Sequence, residues 1–451
     1  MPKFFLTLSE TVLIELAQSA DEGRNVKSFA DDARLIFDMY KQDRPMEQEA
    51  KELIDKIRSA PIAADYPYNE PADLDSIKKV RPAKKGKGEP FKGDLKNYYD
   101  KVYGAWLGRC AGCLLGKPVE GWKRKRITGI LKDTGNYPIA HYISSDIDEK
   151  LKTKYEVVDG GQIPWSRKVS WINNVDCMPE DDDTNYTILY LKILETYGRD
   201  FTSEDVAISW LRDVPFFHVC TAETVAYKNF VNLIMPPLSG SYYNAYREWI
   251  GAQIRADFFG YVNPGDPEKA AEYAWRDGRI SHVKNGIYGE MLTAAMIARA
   301  AVSRDMKDII RSGLDEVPEK SRLTEGVGKV LEWHREGINW EAALDRVHEI
   351  YDETNGYHWC HTISNAMICA VSLLWGESDL EKTIGIAVCA GFDTDCNAAT
   401  TGSIVGMLNG AKALPEKWIK ALNNKVKSGI DGYNLCEISG LAERTVGLCA
   451  Q

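Results

Sequence analysis

No stretch of this chain approaches the roughly 18 consecutive apolar residues that a membrane-spanning helix requires, and the apolar opening Phe4-Phe5-Leu6 is too short for a signal-peptide core. The chain is therefore expected to be soluble and cytoplasmic, with no membrane partner. Positive charge is scarce as well. The 56 Lys and Arg against 66 Asp and Glu leave a formal net charge of -10, which argues against a nucleic-acid surface. The basic runs Lys84-Lys85-Gly86-Lys87 and Lys123-Arg124-Lys125-Arg126 are short and read as solvated loops. Ten scattered cysteines in so long a chain do not make a disulfide framework. Cys110-x-x-Cys113 has no second pair at zinc-finger spacing and sits in a Gly-rich apolar run, so it reads as structural. Strand-like alternation is scarce, and no repeat of solenoid length is visible.

What is present is helical periodicity. It runs over 8–20 and again over 30–57, interrupted near Pro45, which suggests a small helical cap at 1–60. The composition then turns to Pro, Gly, Asp and Lys, so 61–94 reads as an irregular connector. The rest, 95–451, is long enough to bury a large core. Apolar residues recur at three- and four-residue spacing over 187–197, 268–275, 286–302, 324–333, 340–351, 362–375 and 380–389. Between 135 and 170 the chain is polar and without period, which predicts a surface loop. The expected fold class is mostly α, a helical array and not a parallel-sheet enzyme.

Two clusters carry the chemistry. Glu180-Asp181-Asp182-Asp183-Thr184 stands directly before the apolar run Ile188, Leu189, Leu191, Ile193 and Leu194. Adjacent residues on a helix point about 100° apart, so neighbouring carboxylates share a ligand only where the chain turns. One reading is an acidic helix cap; the other is a site for a hard cation, which would relieve the repulsion. Gly391-Phe392-Asp393-Thr394-Asp395-Cys396-Asn397 repeats the design before Gly402, Gly406 and Gly410. Glycines every four residues give a helix one smooth face that another backbone or a ligand can approach.

These residues resemble the ADP-ribosylglycohydrolase family, whose metal motifs read approximately Thr-Asp-Asp-Thr and Gly-Gly-Asp-Thr-Asp-Thr. The family's opening glycines, ending in Gly-x-Pro-x-Glu, are matched by Gly104, Gly108, Gly112 and Gly116-Lys117-Pro118-Val119-Glu120, and its Ser-His segment by Ser281-His282. The resemblance implies an all-helical ADP-ribosylglycohydrolase-like domain holding two Mg2+ ions, with Mn2+ or Ca2+ as alternatives. Asp181, Asp182, Asp183, Asp393 and Asp395 would be the ligands, and Glu120, Asp182 and Asp395 the catalytic residues. Water would attack the anomeric carbon of an ADP-ribosyl or related pentosyl unit, in a small glycoside or an ADP-ribosylated substrate. His282, Arg247, Trp249, Arg255 and Asn397 would contact substrate. From the residues alone, Glu120 also reads as an exposed loop glutamate, His282 as a satisfied core histidine and Trp249 as core.

The chain departs from the pattern at three places. Asp181 replaces a Thr, Cys396 puts a soft sulfur where the motif ends in Thr, and Phe392 replaces a Gly. The family's Gly-Asn-Gly phosphate loop survives only as Gly251 and Arg255 in Trp249-Ile250-Gly251-Ala252-Gln253-Ile254-Arg255. A glycosidase or nucleosidase acting on a sugar without diphosphate is therefore an alternative. A catalytically silent binding protein is another, since the family includes a lens crystallin, but so much like charge at two turns argues against it.

Overall fold

Two helices that are buried over most of their length form the centre of the molecule. The computed structural model describes residues 6–83, 91–158 and 170–449. Leu95–Gly116 begins at Asp94, whose side chain accepts the Asn97 amide at 2.7 Å, and every residue from Gly104 to Gly116 is buried. Thr394–Asn409 is buried along nearly its whole length. The two run antiparallel, backbone against backbone. A Cβ on Gly108 would stand 2.1 Å from the Gly402 carbonyl oxygen, one on Gly112 1.9 Å from that of Ala398, and one on Gly116 2.3 Å from that of Thr394. The smooth glycine face read from the sequence therefore receives a second helix. Its functional consequence is positional: the end of the first helix, leading to Glu120, lies beside the start of the second, which carries Asp393 and Asp395.

With this pair the described residues form an all-α array of 21 α-helices in total, with a single pair of antiparallel three-residue strands, Lys425–Lys427 and Leu435–Glu437. The periodic segments fall where expected. Thr362–Trp375 and Leu380–Cys389 match their apolar runs at both ends. The run read from 187 begins earlier, at Asp182, because Asp181 caps it. The helices Ser203–Asp213 and Thr221–Val231 went unread. In the polar stretch 135–170 there is one short helix, Glu149–Lys154; residues 159–169 and the basic run at 84–87 lie outside the described residues. The second basic run opens the helix Arg124–Asp133, with Arg124 paired to Asp345 at 2.6 Å.

At the N-terminus, Leu8–Asp21, Ala30–Lys41 and Glu47–Ser59 close a small apolar core of their own around Val12, Ile36, Leu53, Ile54 and Ile57. The face that Leu8–Asp21 turns to the rest of the protein is polar. Its Glu15 meets buried Arg247 at 2.9 Å, and Glu22, just beyond the helix, meets the same guanidinium at 2.7 Å. The described residues of 61–94 contain one short helix, Leu74–Val80. They are fastened along the body by Glu70 to Arg322 at 2.8 Å and Arg81 to Glu316 at 2.6 Å.

Candidate functional site

Three backbone features aim the carboxylates at one point. Asp181 is the cap of the helix Asp182–Tyr197, and its Oδ1 accepts the Asp183 amide at 3.0 Å. Asp393 occupies the equivalent position before Thr394–Asn409 but makes no capping bond with its side chain. The acidic-cap reading thus accounts for Asp181 in part and for Asp393 not at all. Gly391 at φ +74° and Phe392 at φ +57° form the turn between. Phe392 adopts the left-handed backbone that the motif's glycine would adopt freely, at a cost of about 1 kcal/mol or more. Its buried ring packs edge-on to His348 at 4.9 Å.

The turns meet in one buried donor cluster. Ligand atoms of Asp181, Asp183, Asp395 and Cys113 lie within 4.8 Å of one another, as do those of Asp393, Asp395 and Cys396. Asp395 belongs to both groups. Asp182, one residue round the helix, is half-buried and belongs to neither. Lys117 makes an ion pair with Asp181, and buried Arg109 binds the Asp183 carbonyl at 2.7 Å, its carboxylate at 3.2 Å and Asp257 at 2.8 Å. Two cations thus face five buried carboxylates, those of residues 181, 183, 257, 393 and 395.

Such a cluster is unstable as a set of ionised groups. Burial pushes the Asp395 carboxyl well above the usual carboxylate range, and Glu120, Asp393, Asp181 and Asp183 push it further. Burial does the same at Asp183, where Arg109 opposes it and neighbouring aspartates reinforce it. Asp393 is raised too, again by burial. The buried Oδ1 atoms of Asp393 and Asp395 have no hydrogen-bond partner. Buried lone pairs of this kind are costly unless a cation or proton meets them. The residues therefore fit a divalent cation, and the shared Asp395 fits two cations side by side.

Glu120 stands exposed at the end of the turn Lys117–Val119, and of all neighbouring charges it acts most strongly on Asp395. The expected substrate contacts are placed differently. Arg247 is held by Glu15 and Glu22. Arg255 is fully buried against Asp277 at 2.6 Å, Glu223 at 2.7 Å and the Ser281 hydroxyl at 2.9 Å. His282 is buried beside them, its Nδ1 2.8 Å from the same hydroxyl, and burial holds its pKa well below the ordinary value, so the ring is neutral. Trp249 is 3% exposed, edge-on to Tyr246 and Trp359. Asn397 is buried behind the second turn, donating to Asn365 at 2.8 Å; Asn365 in turn accepts the Asp393 amide at 3.3 Å.

Sequence reasoning missed Arg109, Lys117, Cys113 and Cys360. A signal existed for Arg109, because a charged residue inside the otherwise uncharged, apolar run 104–116 must have a buried partner. Cys113, read as structural with Cys110, faces the aspartates, and Cys360 places its Sγ 3.6 Å from the Asp393 carboxylate.

A family profile described as ADP-ribosylglycohydrolase matches residues 94–451. No curated protein matches the chain. A solved structure described as an ADP-ribosylglycohydrolase-related protein complex is 19% identical, covers 79% of this chain and 99% of that chain, and superposes with a TM-score of 0.46. No helix among the described residues is long and apolar enough to cross a membrane. Since the matched span takes in the glycine helix, Glu120 and both aspartate turns, the chain belongs to the ADP-ribosylglycohydrolase family.

Proposed function

We propose that this member of a hydrolase family cleaves an ADP-ribosyl or related pentosyl N- or O-glycosidic bond, in a small glycoside or an ADP-ribosylated substrate, with divalent cations held by Asp181, Asp183, Asp393 and Asp395. The observation that carries the reading is the buried donor cluster with unpartnered oxygens of Asp393 and Asp395, whose Asp395 feels the exposed Glu120 most strongly among neighbouring charges. Bound divalent cations supply Lewis acidity to sugar hydroxyls and to an attacking water. Glu120, the exposed carboxylate beside Asp395, would take a proton from that water or give one to the leaving group. Lys117 and Arg109 hold Asp181 and Asp183 in place, and Asn365 fixes the turn that presents Asp393.

The test is turnover of an ADP-ribosylated peptide and of simple pentosides, with Mg2+ as the reference cation. Glu120→Gln should lower kcat by about a hundredfold or more while leaving cation binding intact. Unchanged kcat would remove Glu120 from the chemistry.

A second reading, a glycoside or nucleoside without diphosphate, is favoured by a specific observation. Arg247 and Arg255 are both buried and committed to internal carboxylates, so neither guanidinium remains for a diphosphate. Comparing ADP-ribosyl with plain pentosyl substrates in the same assay separates the two readings.

A further inference from the structure

Three buried thiols border the aspartate cluster. Cys113 Sγ belongs to the donor group of Asp181, Asp183 and Asp395, and Cys396 Sγ to that of Asp393 and Asp395. Cys360 Sγ lies 3.6 Å from Asp393 Oδ2. The three come from different parts of the fold: the glycine helix, the helix that begins the second turn, and the loop before Thr362–Trp375. Each donor group thus contains one sulfur. Donors around a tetrahedral zinc with oxygen and sulfur ligands lie about 3.3–3.7 Å apart, so groups already within 4.8 Å need to close by at most about 1.5 Å to meet one ion. Magnesium demands near-octahedral oxygen coordination and keeps several waters, whereas thiolates favour zinc and its neighbours.

We propose that the cluster is a mixed carboxylate–thiolate centre that selects a zinc-class divalent cation over magnesium, with Cys113 and Cys396 as sulfur ligands and Cys360 beside the second position. The inference rests on the proposed cation role of the aspartates and names the ion class they hold. As each sulfur–metal bond forms, the thiol proton leaves to solvent. The unpartnered buried oxygens of Asp393 and Asp395 supply the independent sign of a ligand, and the thiols decide its kind.

The test uses the metal-stripped full chain. Titration with Co2+ is followed by absorption, where thiolate ligation gives a near-ultraviolet charge-transfer band that oxygen ligation does not. Competition calorimetry gives the ratio of Zn2+ to Mg2+ affinity. The expected result is a charge-transfer band in the wild type that weakens in Cys396→Thr and vanishes in Cys113→Ser/Cys396→Thr. The zinc-to-magnesium preference should fall at least about tenfold in the double variant. Far-UV circular dichroism and melting confirm that these near-isosteric variants fold; if the double variant does not, the single Cys396→Thr carries the same readouts. Stoichiometric cobalt binding without the band, and an unchanged zinc-to-magnesium ratio, would overturn the thiolate centre and leave the oxygen cage standing. No binding of any divalent cation by the wild type would overturn both.

Discussion

At the scale of single residues, the two aspartate turns divide their labour by geometry that adjacency hides. Asp182 and Asp183 are neighbours in sequence, yet only Asp183 joins the donor cluster. Asp395→Asn should therefore lower divalent-cation affinity by at least about tenfold, and Asp182→Asn by much less, as measured by calorimetry; equal losses would mean that Asp182 is a ligand too. The raised carboxyls also set a pH dependence. Folded and metal-free, Asp183, Asp393 and Asp395 retain protons that the unfolded chain has already lost. Their stabilising contribution is full below the unfolded value of about 4 and is lost as pH rises through the raised folded values. Metal-stripped protein should melt lower at neutral than at mildly acidic pH, and added divalent cation should remove most of that difference. A melting temperature that rises towards neutral pH without cation would contradict it. Both turns were legible in the sequence because repeated like charge before an apolar run has few uses, whereas Glu120 was legible only through the family's Gly-x-Pro-x-Glu motif. Arg109, Cys113 and Cys360 were not legible, because their roles depend on partners 33, 70, 74 and 145 residues away in sequence.

At the scale of elements, the glycine-faced helix pair is the device that creates the site. Gly112→Ala would place a methyl group 1.9 Å from the Ala398 carbonyl oxygen and force the helices apart. The expected cost is about 3 kcal/mol, read as a lower denaturation midpoint, with activity lost in step as Glu120 separates from Asp395. A fully active, fully stable Gly112→Ala protein would show that the close approach is dispensable. Helix spacing was readable where one face is apolar, as in Thr362–Trp375. The glycine period announced a close approach without saying to what, because the partner helix lies some three hundred residues on and no local pattern names it. The helix Leu8–Asp21 buries Glu15 and Gln18 instead of an apolar stripe, so its docking face is invisible to periodicity.

At the scale of the whole molecule, the N-terminal helices and the matched span 94–451 are joined through buried charge more than through a common core. Arg247, expected to meet phosphate, joins them to the body by binding Glu15 and Glu22. Arg247→Met removes the shared guanidinium from buried Glu15 and Glu22, of which Glu22 keeps Lys284 at 3.2 Å, and should destabilise the fold by about 3 kcal/mol, measurable by chemical denaturation; no loss would place the coupling elsewhere. The central claim is that the whole fold serves to bring two aspartate turns and one glutamate together around divalent cations for glycoside cleavage. The most direct test is hydrolysis by metal-stripped protein, with and without added divalent cation, on ADP-ribosyl and plain pentosyl substrates. The account predicts no turnover after stripping, recovery on adding cation, and no recovery in Asp395→Asn. Equal turnover in the presence of chelator, or in that variant, would contradict it.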